Sequence, residues 1–263
     1  MFSFLRPKAP IDDQEFDWLI ACFAWLHRVI DNGDVARFDC AELIQPDARF
    51  FPATSETDHA FAVHLFDTTK QICGMADWPC ELIEGERRRE AKVQPGLAIK
   101  HDSPPPLGSF VVEEDGAKIA YDPALLKSPS QLIATFAHEL AHYLLHGRGD
   151  PPGGPDLVEH ATDCAAVYLG FGLFSTNAAL NFRQFASFDE SGWERQAAGY
   201  LSEPALLTAT ALFVHLTKTN PEAAEMALKP HLRKSFRKAL KATSIRLPNG
   251  PADLADIDLS DWA

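Results

Sequence analysis

Two imidazoles and a carboxylate fall within five residues in the run HELAH, His138 to His142. On a helix, positions i and i+4 lie on one face, stacked a turn apart, so His138 and His142 can share one metal ion. Glu139 is rotated about 100° from His138, because a helix has 3.6 residues per turn. It therefore reaches past the metal position towards a water, where a general base must stand. H-E-x-x-H at this spacing is a zinc motif for those reasons. Its setting among Phe136, Leu140, Leu144 and Leu145 adds weight. Burying two histidines and a glutamate without partners would leave several polar groups unsatisfied.

Catalytic zinc usually takes three protein ligands and keeps one position open. Six residues beyond His142, where one class of zinc protein carries a third histidine, stands Arg148. His146 shares a face with His138, but eight helical residues span roughly 12 Å, too far for the same ion. It reads as a histidine at the helix end, interacting with the C-terminal dipole. The next helical segment offers Glu159, His160 and Asp163. Glu159 and Asp163 share a face, and His160 points about 100° away from Glu159. Spacing alone leaves all three open.

The elements that must position these groups follow from periodicity and punctuation. The active helix spans SQLIATFAHELAHYLLHG, capped by Ser128 or Ser130 and closed by Gly147. The loop RGDPPGGPD breaks regular structure before a second apolar helix, LVEHATDCAAVYLGFGLF. Upstream, SFVVEE and AKIAYD flank Asp115-Gly116, a hairpin signal. Residues 12–31 form an amphipathic helix stopped by Asn32-Gly33, and a second helix covers 55–73 with Ser55 as N-cap. A short strand and a charged turn follow in WPCELIEGERRREAKVQPG, then the proline-rich loop HDSPPPLG. Further helices are expected at about 203–218 and 221–243. The fold class is α+β, mostly helical, with a small antiparallel sheet beside the active helix. Residues 1–10 are read as an extension, 11–245 as one domain (11–108 a helical part, 109–245 the zinc-site part), and 246–263 as a flexible acidic tail.

Composition bounds the partners. The chain has 263 residues and a formal net charge of −13. An acidic protein binds phosphate backbones poorly, so nucleic acid is not an expected partner. The basic run KPHLRKSFRKALKATSIR reads as a solvated helix face. No apolar run reaches the eighteen residues a membrane helix needs, so no membrane partner is expected. The five cysteines are scattered without CxxC spacing, which fits a reduced, cytoplasmic compartment. Cys164 is expected to pack as a small apolar group. Tyr143, Tyr168, Tyr200 and Arg195 are candidates to stabilise an oxyanion, and Trp78-Pro79 and Trp193 read as core anchors.

H-E-x-x-H, then a loop, then E-x-x-x-D on a second helix resembles the gluzincins. The resemblance implies that Glu159 is the third zinc ligand and that Asp163 holds a zinc-binding histidine from behind, a division of labour with a physical basis. The run IAYDPALLKSPSQLIATFAHELAHYLLH is similar to the strand–turn–active-helix unit of compact bacterial minigluzincins of the ImmA/IrrE type. TDCAAVYLGFGLFSTNAA and GYLSEPALLTATALF look like segments of uncharacterised bacterial proteins with the same motif. The likeness covers roughly residues 115–218. TDCAAVY is a looser match to the aspzincins, in which an aspartate is the third ligand. The resemblance implies a minigluzincin-like core, a peptide or protein substrate, and zinc-dependent hydrolysis with Glu139 as base. The alternative is a regulatory or interaction protein, with a protein partner, on an inactive or latent scaffold of the same kind.

Overall fold

The N-terminal helix α1, Asp13–Asp31, begins where the Asp12 carboxylate accepts the Glu15 N–H at 2.8 Å and ends at Asn32, whose left-handed backbone (φ 53°) turns the chain away. Eleven of its residues are buried, from Phe16 to His27. This is a computed structural model, and it describes residues 8–85, 108–113, 116–186 and 201–262. A short helix α2, Arg37–Cys40, precedes α3, Asp58–Ile72. The N-cap of α3 is Thr57, two residues after the expected Ser55.

Three strands follow: β1, Cys80–Glu84; β2, Gly108–Glu113; and β3, Gly116–Tyr121. Their order is β1-β3-β2. β2 and β3 form the expected antiparallel pair, with Gly108 opposite Tyr121. β1, however, runs parallel to β3, with Leu82 opposite Ile119. The sheet is therefore mixed, which corrects the expectation of a purely antiparallel one. β1 ends and β2 begins at the Tyr121 end of β3, so the antiparallel β2 itself returns the chain to the start of β3 and makes the parallel pairing possible. Along β3, Ala117, Ile119 and Tyr121 are buried in alternation with half-buried neighbours. The Tyr121 ring meets Phe136 edge-on at 6.0 Å, seating the sheet on the central helix.

That helix, α4, spans Pro129–Leu145. Pro129 occupies its first turn, where the missing N–H costs nothing. Ser128 is its N-cap but makes no side-chain cap bond. Helices α3, α5 (Val158–Ala166) and α6 (Gly172–Ala186) pack around α4. The expected single helix after the loop is in fact α5 and α6 joined by a π turn, Val167–Phe171, bent at Gly170 with φ 102°. The bend lets Gly170 O accept the Ile44 N–H at 3.0 Å. A Cβ at Gly170 would stand 2.4 Å from Glu42 O, so the crossing of residues 42–44 over the bend requires glycine.

Helix α7, Glu203–Leu216, packs on α6 and α9. The expected helix over 221–243 is two, α8 (Pro221–Ala227) and α9 (Pro230–Arg246). Pro230 forbids a continuous helix, and Asn177 holds the break: its amide donates to Ala227 O at 3.1 Å and accepts the Lys229 N–H at 3.0 Å.

The C-terminal residues differ from the flexible tail expected. Pro251–Ala255 form α10, with Leu254 fully buried. The Arg28 guanidinium donates to Ala255 O at 3.2 Å and also to Ile257 O. Trp262 O accepts the Gly153 N–H at 2.8 Å. Sparse apolar residues concealed this: the buried Leu254, the partly buried Ile257, Leu259 and Trp262, and three backbone carbonyls dock the segment. No helix among the described residues is long and apolar enough to cross a membrane. All five cysteines are free thiols.

Candidate metal centre

The site is made by two helices and the loop between them. His138 and His142 project from the same face of α4, and Glu159 from the first turn of α5. His138 Nε2 and His142 Nε2 are 3.1 Å apart, and Glu159 Oε2 lies 3.3 Å from each. A tetrahedral ion with bonds of about 2.0–2.1 Å spaces its donor atoms about 3.3 Å apart. The three residues form a group that could hold a metal ion. His138 is 5% exposed, while the Glu159 side chain is 45% exposed, so the group opens to solvent on the Glu159 side.

Each histidine is backed at its other ring nitrogen. Asp163 Oδ1 lies 2.9 Å from His138 Nδ1. A carboxylate only accepts, so Nδ1 carries the proton, and without a metal a second proton on Nε2 answers Glu159. Asp163 Oδ2 is fixed in turn by the Leu201 N–H at 2.7 Å. Thr162 Oγ1 stands 3.3 Å from His142 Nδ1 and gives its own hydrogen to Val158 O at 2.9 Å. The hydroxyl can then only accept from His142, which leaves His142 Nε2 with its lone pair towards the shared point.

The charges respond to this crowding. Burial disfavours the His138 imidazolium, but hydrogen bonds to Asp163 and Glu159 outweigh it and lift the pKa to about 10. The hydrogen bond from His138, first, and the closeness of His142 hold the Glu159 carboxyl far below the usual carboxylate range. Glu139 is 4% exposed. Burial pushes its pKa up, opposed by the positive fields of His138 and His142 and supported by Glu159.

The remaining candidates fall elsewhere. His160 turns from the group and meets Trp18 edge-on at 6.1 Å, with Nδ1 buried and unpartnered. Burial lowers its pKa. His146 is exposed at the C-cap of α4. Tyr143 donates its hydroxyl to Pro79 O at 3.1 Å and packs edge-on against Trp78. Tyr168 is buried against α1 and donates to Asp31 at 2.5 Å, which removes it from the oxyanion candidates. Cys164 is buried beside Cys22, and burial raises its thiol well above the ordinary value, in keeping with apolar packing. Trp193, Arg195 and Tyr200 lie outside the described residues, as do Asp115 and the charged turn after Gly85.

Three features of the site were not read from the sequence: Thr162, the Leu201 N–H and Gly108. Thr162 carried one signal, a threonine three residues after Glu159 in an alanine-rich helix, hence on the same face. Gly108 opens β2 directly over Glu139. A Cβ there would stand 2.5 Å from Glu139 Oε1 and 2.7 Å from Thr135 Cγ2, so only glycine allows this approach. Comparison with protein-family models, with curated proteins and with solved structures returned no match to this chain.

Proposed function

We propose that the chain is a zinc-dependent peptidase of the gluzincin kind, with His138, His142 and Glu159 as metal ligands, Glu139 as general base and Asp163 as the residue that orients His138. The convergence of two imidazole nitrogens and one carboxylate oxygen at 3.1–3.3 Å carries this reading. Two nitrogens and an oxygen suit zinc among the common metals, and zinc sites of this ligand set keep a position open for chemistry. Zinc bound there supplies Lewis acidity to a carbonyl oxygen and to water.

The protein's own groups do the rest. Asp163 and Thr162 keep both imidazoles presenting Nε2. Glu139, its pKa raised by burial, accepts a proton from the attacking water and returns it to the leaving amine. β2 is an edge strand that begins against Glu139, and an extended peptide added to that edge would bring its backbone past the base. The second reading, a latent or regulatory scaffold, draws on the near-complete burial of Glu139.

Metal analysis of the purified full chain, with peptide-library cleavage by wild type and Glu139→Gln, tests both. Stoichiometric zinc in both proteins and cleavage by the wild type alone are expected. Zinc in both with no cleavage of any library member would favour the latent scaffold. Absence of bound metal after zinc loading would end both readings.

A further inference from the structure

Between the end of α7, the start of α8, helix α9 and the turn at Pro248–Pro251 lies a cavity of about 690 Å³. Three cations line it: Lys218, Arg237 and Lys241. Arg237 and Lys241 are one turn apart on α9, and Lys218 enters from beyond α7, where a positive φ of 53° turns the chain. Val214, Leu240 and Pro221 supply apolar lining. The wall is pinned where His215 Nε2 donates to Leu247 O at 2.8 Å.

The charges of this cavity are poorly compensated. Lys218 faces Asp39 at 3.6 Å with both side chains more than 70% exposed, and Arg237 faces Glu225 at 3.7 Å with its own side chain 65% exposed. Exposed pairs at such distances are weak and yield to competing anions. Lys241 has no acidic partner among the described residues. Three cations around one cavity, on a chain of net charge −13, run against its overall balance.

The volume is that of a small-molecule pocket. Cations and apolar groups lining the same cavity match an organic molecule with an anionic end. The net negative charge repels a long polyanion, whereas screening over about 8 Å leaves a small ligand sensing mainly its local cations. We propose that this cavity binds a small organophosphate of nucleotide size, with its phosphates among Lys218, Arg237 and Lys241 and its organic part on Val214, Leu240 and Pro221. The site is separate from the metal group, and this inference does not depend on hydrolysis.

Isothermal titration calorimetry on the full chain, with ADP, inorganic pyrophosphate and adenosine as probes, tests it. ADP should bind saturably, pyrophosphate more weakly, and adenosine weakest. Lys218→Ala with Lys241→Ala should weaken ADP by about tenfold or more, the scale of a lost charge-assisted bond. Lys241→Glu should weaken it likewise, and both proteins should keep the wild-type melting temperature. Lys234→Ala with Lys238→Ala, exposed on the same helix outside the cavity, should leave ADP affinity within about twofold. Absence of saturable ADP binding, or an equal loss from the Lys234/Lys238 pair, overturns the proposal. So does tighter, steeply salt-dependent binding of a single-stranded oligonucleotide, which would make the basic face a nucleic-acid surface.

Discussion

Asp163→Asn is the most discriminating change at the metal group, because the wild-type carboxylate has both oxygens committed. Oδ1 accepts from His138 Nδ1 at 2.9 Å and Oδ2 accepts from the Leu201 N–H at 2.7 Å. Asparagine offers one acceptor and one donor in the same volume. If its oxygen stays with Leu201, its NH2 faces His138, which must then place its hydrogen on Nε2, the atom needed for the metal. If the oxygen stays with His138, the NH2 opposes the Leu201 N–H and leaves a buried donor unanswered. Such an unsatisfied group costs about 1–3 kcal/mol. Loss of an orienting partner behind a ligand typically lowers metal affinity 10- to 100-fold, about 1.4–2.7 kcal/mol. Chelator competition on the full chain measures the affinity, and thermal melting in excess chelator measures the metal-free stability. Wild-type metal affinity in Asp163→Asn, with the fold intact, would refute the reasoning.

In the metal-free protein, burial works against protonated His138, but Asp163 and Glu159 raise its pKa to about 10. The stability it contributes is therefore full below about pH 6.5 and declines as pH rises towards 10, whereas metal binding, which needs the neutral ring, should strengthen by up to about tenfold per unit over the same window. Chelator competition at about pH 6, 7 and 8 and metal-free melting curves check the two opposite slopes. Gly108→Ala should place a methyl against Glu139 and Thr135, costing about 1–3 kcal/mol in thermal melting and any Glu139-dependent cleavage. Thr162→Val should weaken metal binding while Thr162→Ser restores it, because serine keeps the acceptor towards His142. Truncation after Gly250 removes the fully buried Leu254, worth about 2–4 kcal/mol, so the melting temperature should fall by about 5–15 °C instead of staying level as a flexible tail would allow.

What the sequence disclosed about the site was local. His138 and His142 share a face, as do Glu159 and Asp163, because helical periodicity acts within one turn, and those pairings appear in α4 and α5. His160 departs in the direction its one-residue offset requires. What escaped the sequence depends on contacts between distant segments. The parallel pairing of β1 with β3 is not encoded in either strand's alternation. The Leu201 N–H reaches Asp163 across 38 positions, and a backbone donor leaves no mark in the residue type. Gly170 lies in an apolar run whose periodicity reads as one helix, and its bend follows from a crossing by residues 42–44.

The tail and the metal group are joined through the loop that connects their helices. That loop must return the chain so that Glu159 faces His138 and His142, yet its glycines and prolines do not select a single path by themselves. Its course is held from outside. Trp18 of α1 donates its indole N–H to Pro152 O at 2.8 Å, the Gly153 N–H donates to Trp262 O at 2.8 Å, and Arg148 reaches back to Val29 O. Trp18 also carries the His160 ring on its edge, so the residue next to Glu159 rests on the indole that fixes the loop. A side chain in α1, a carbonyl in the tail and the start of α5 thus act on one short segment. The 3.1–3.3 Å spacing of His138, His142 and Glu159 depends on that segment's course, because two histidines on one helix set only one edge of the triangle. The acidic tail is accordingly part of what positions Glu159.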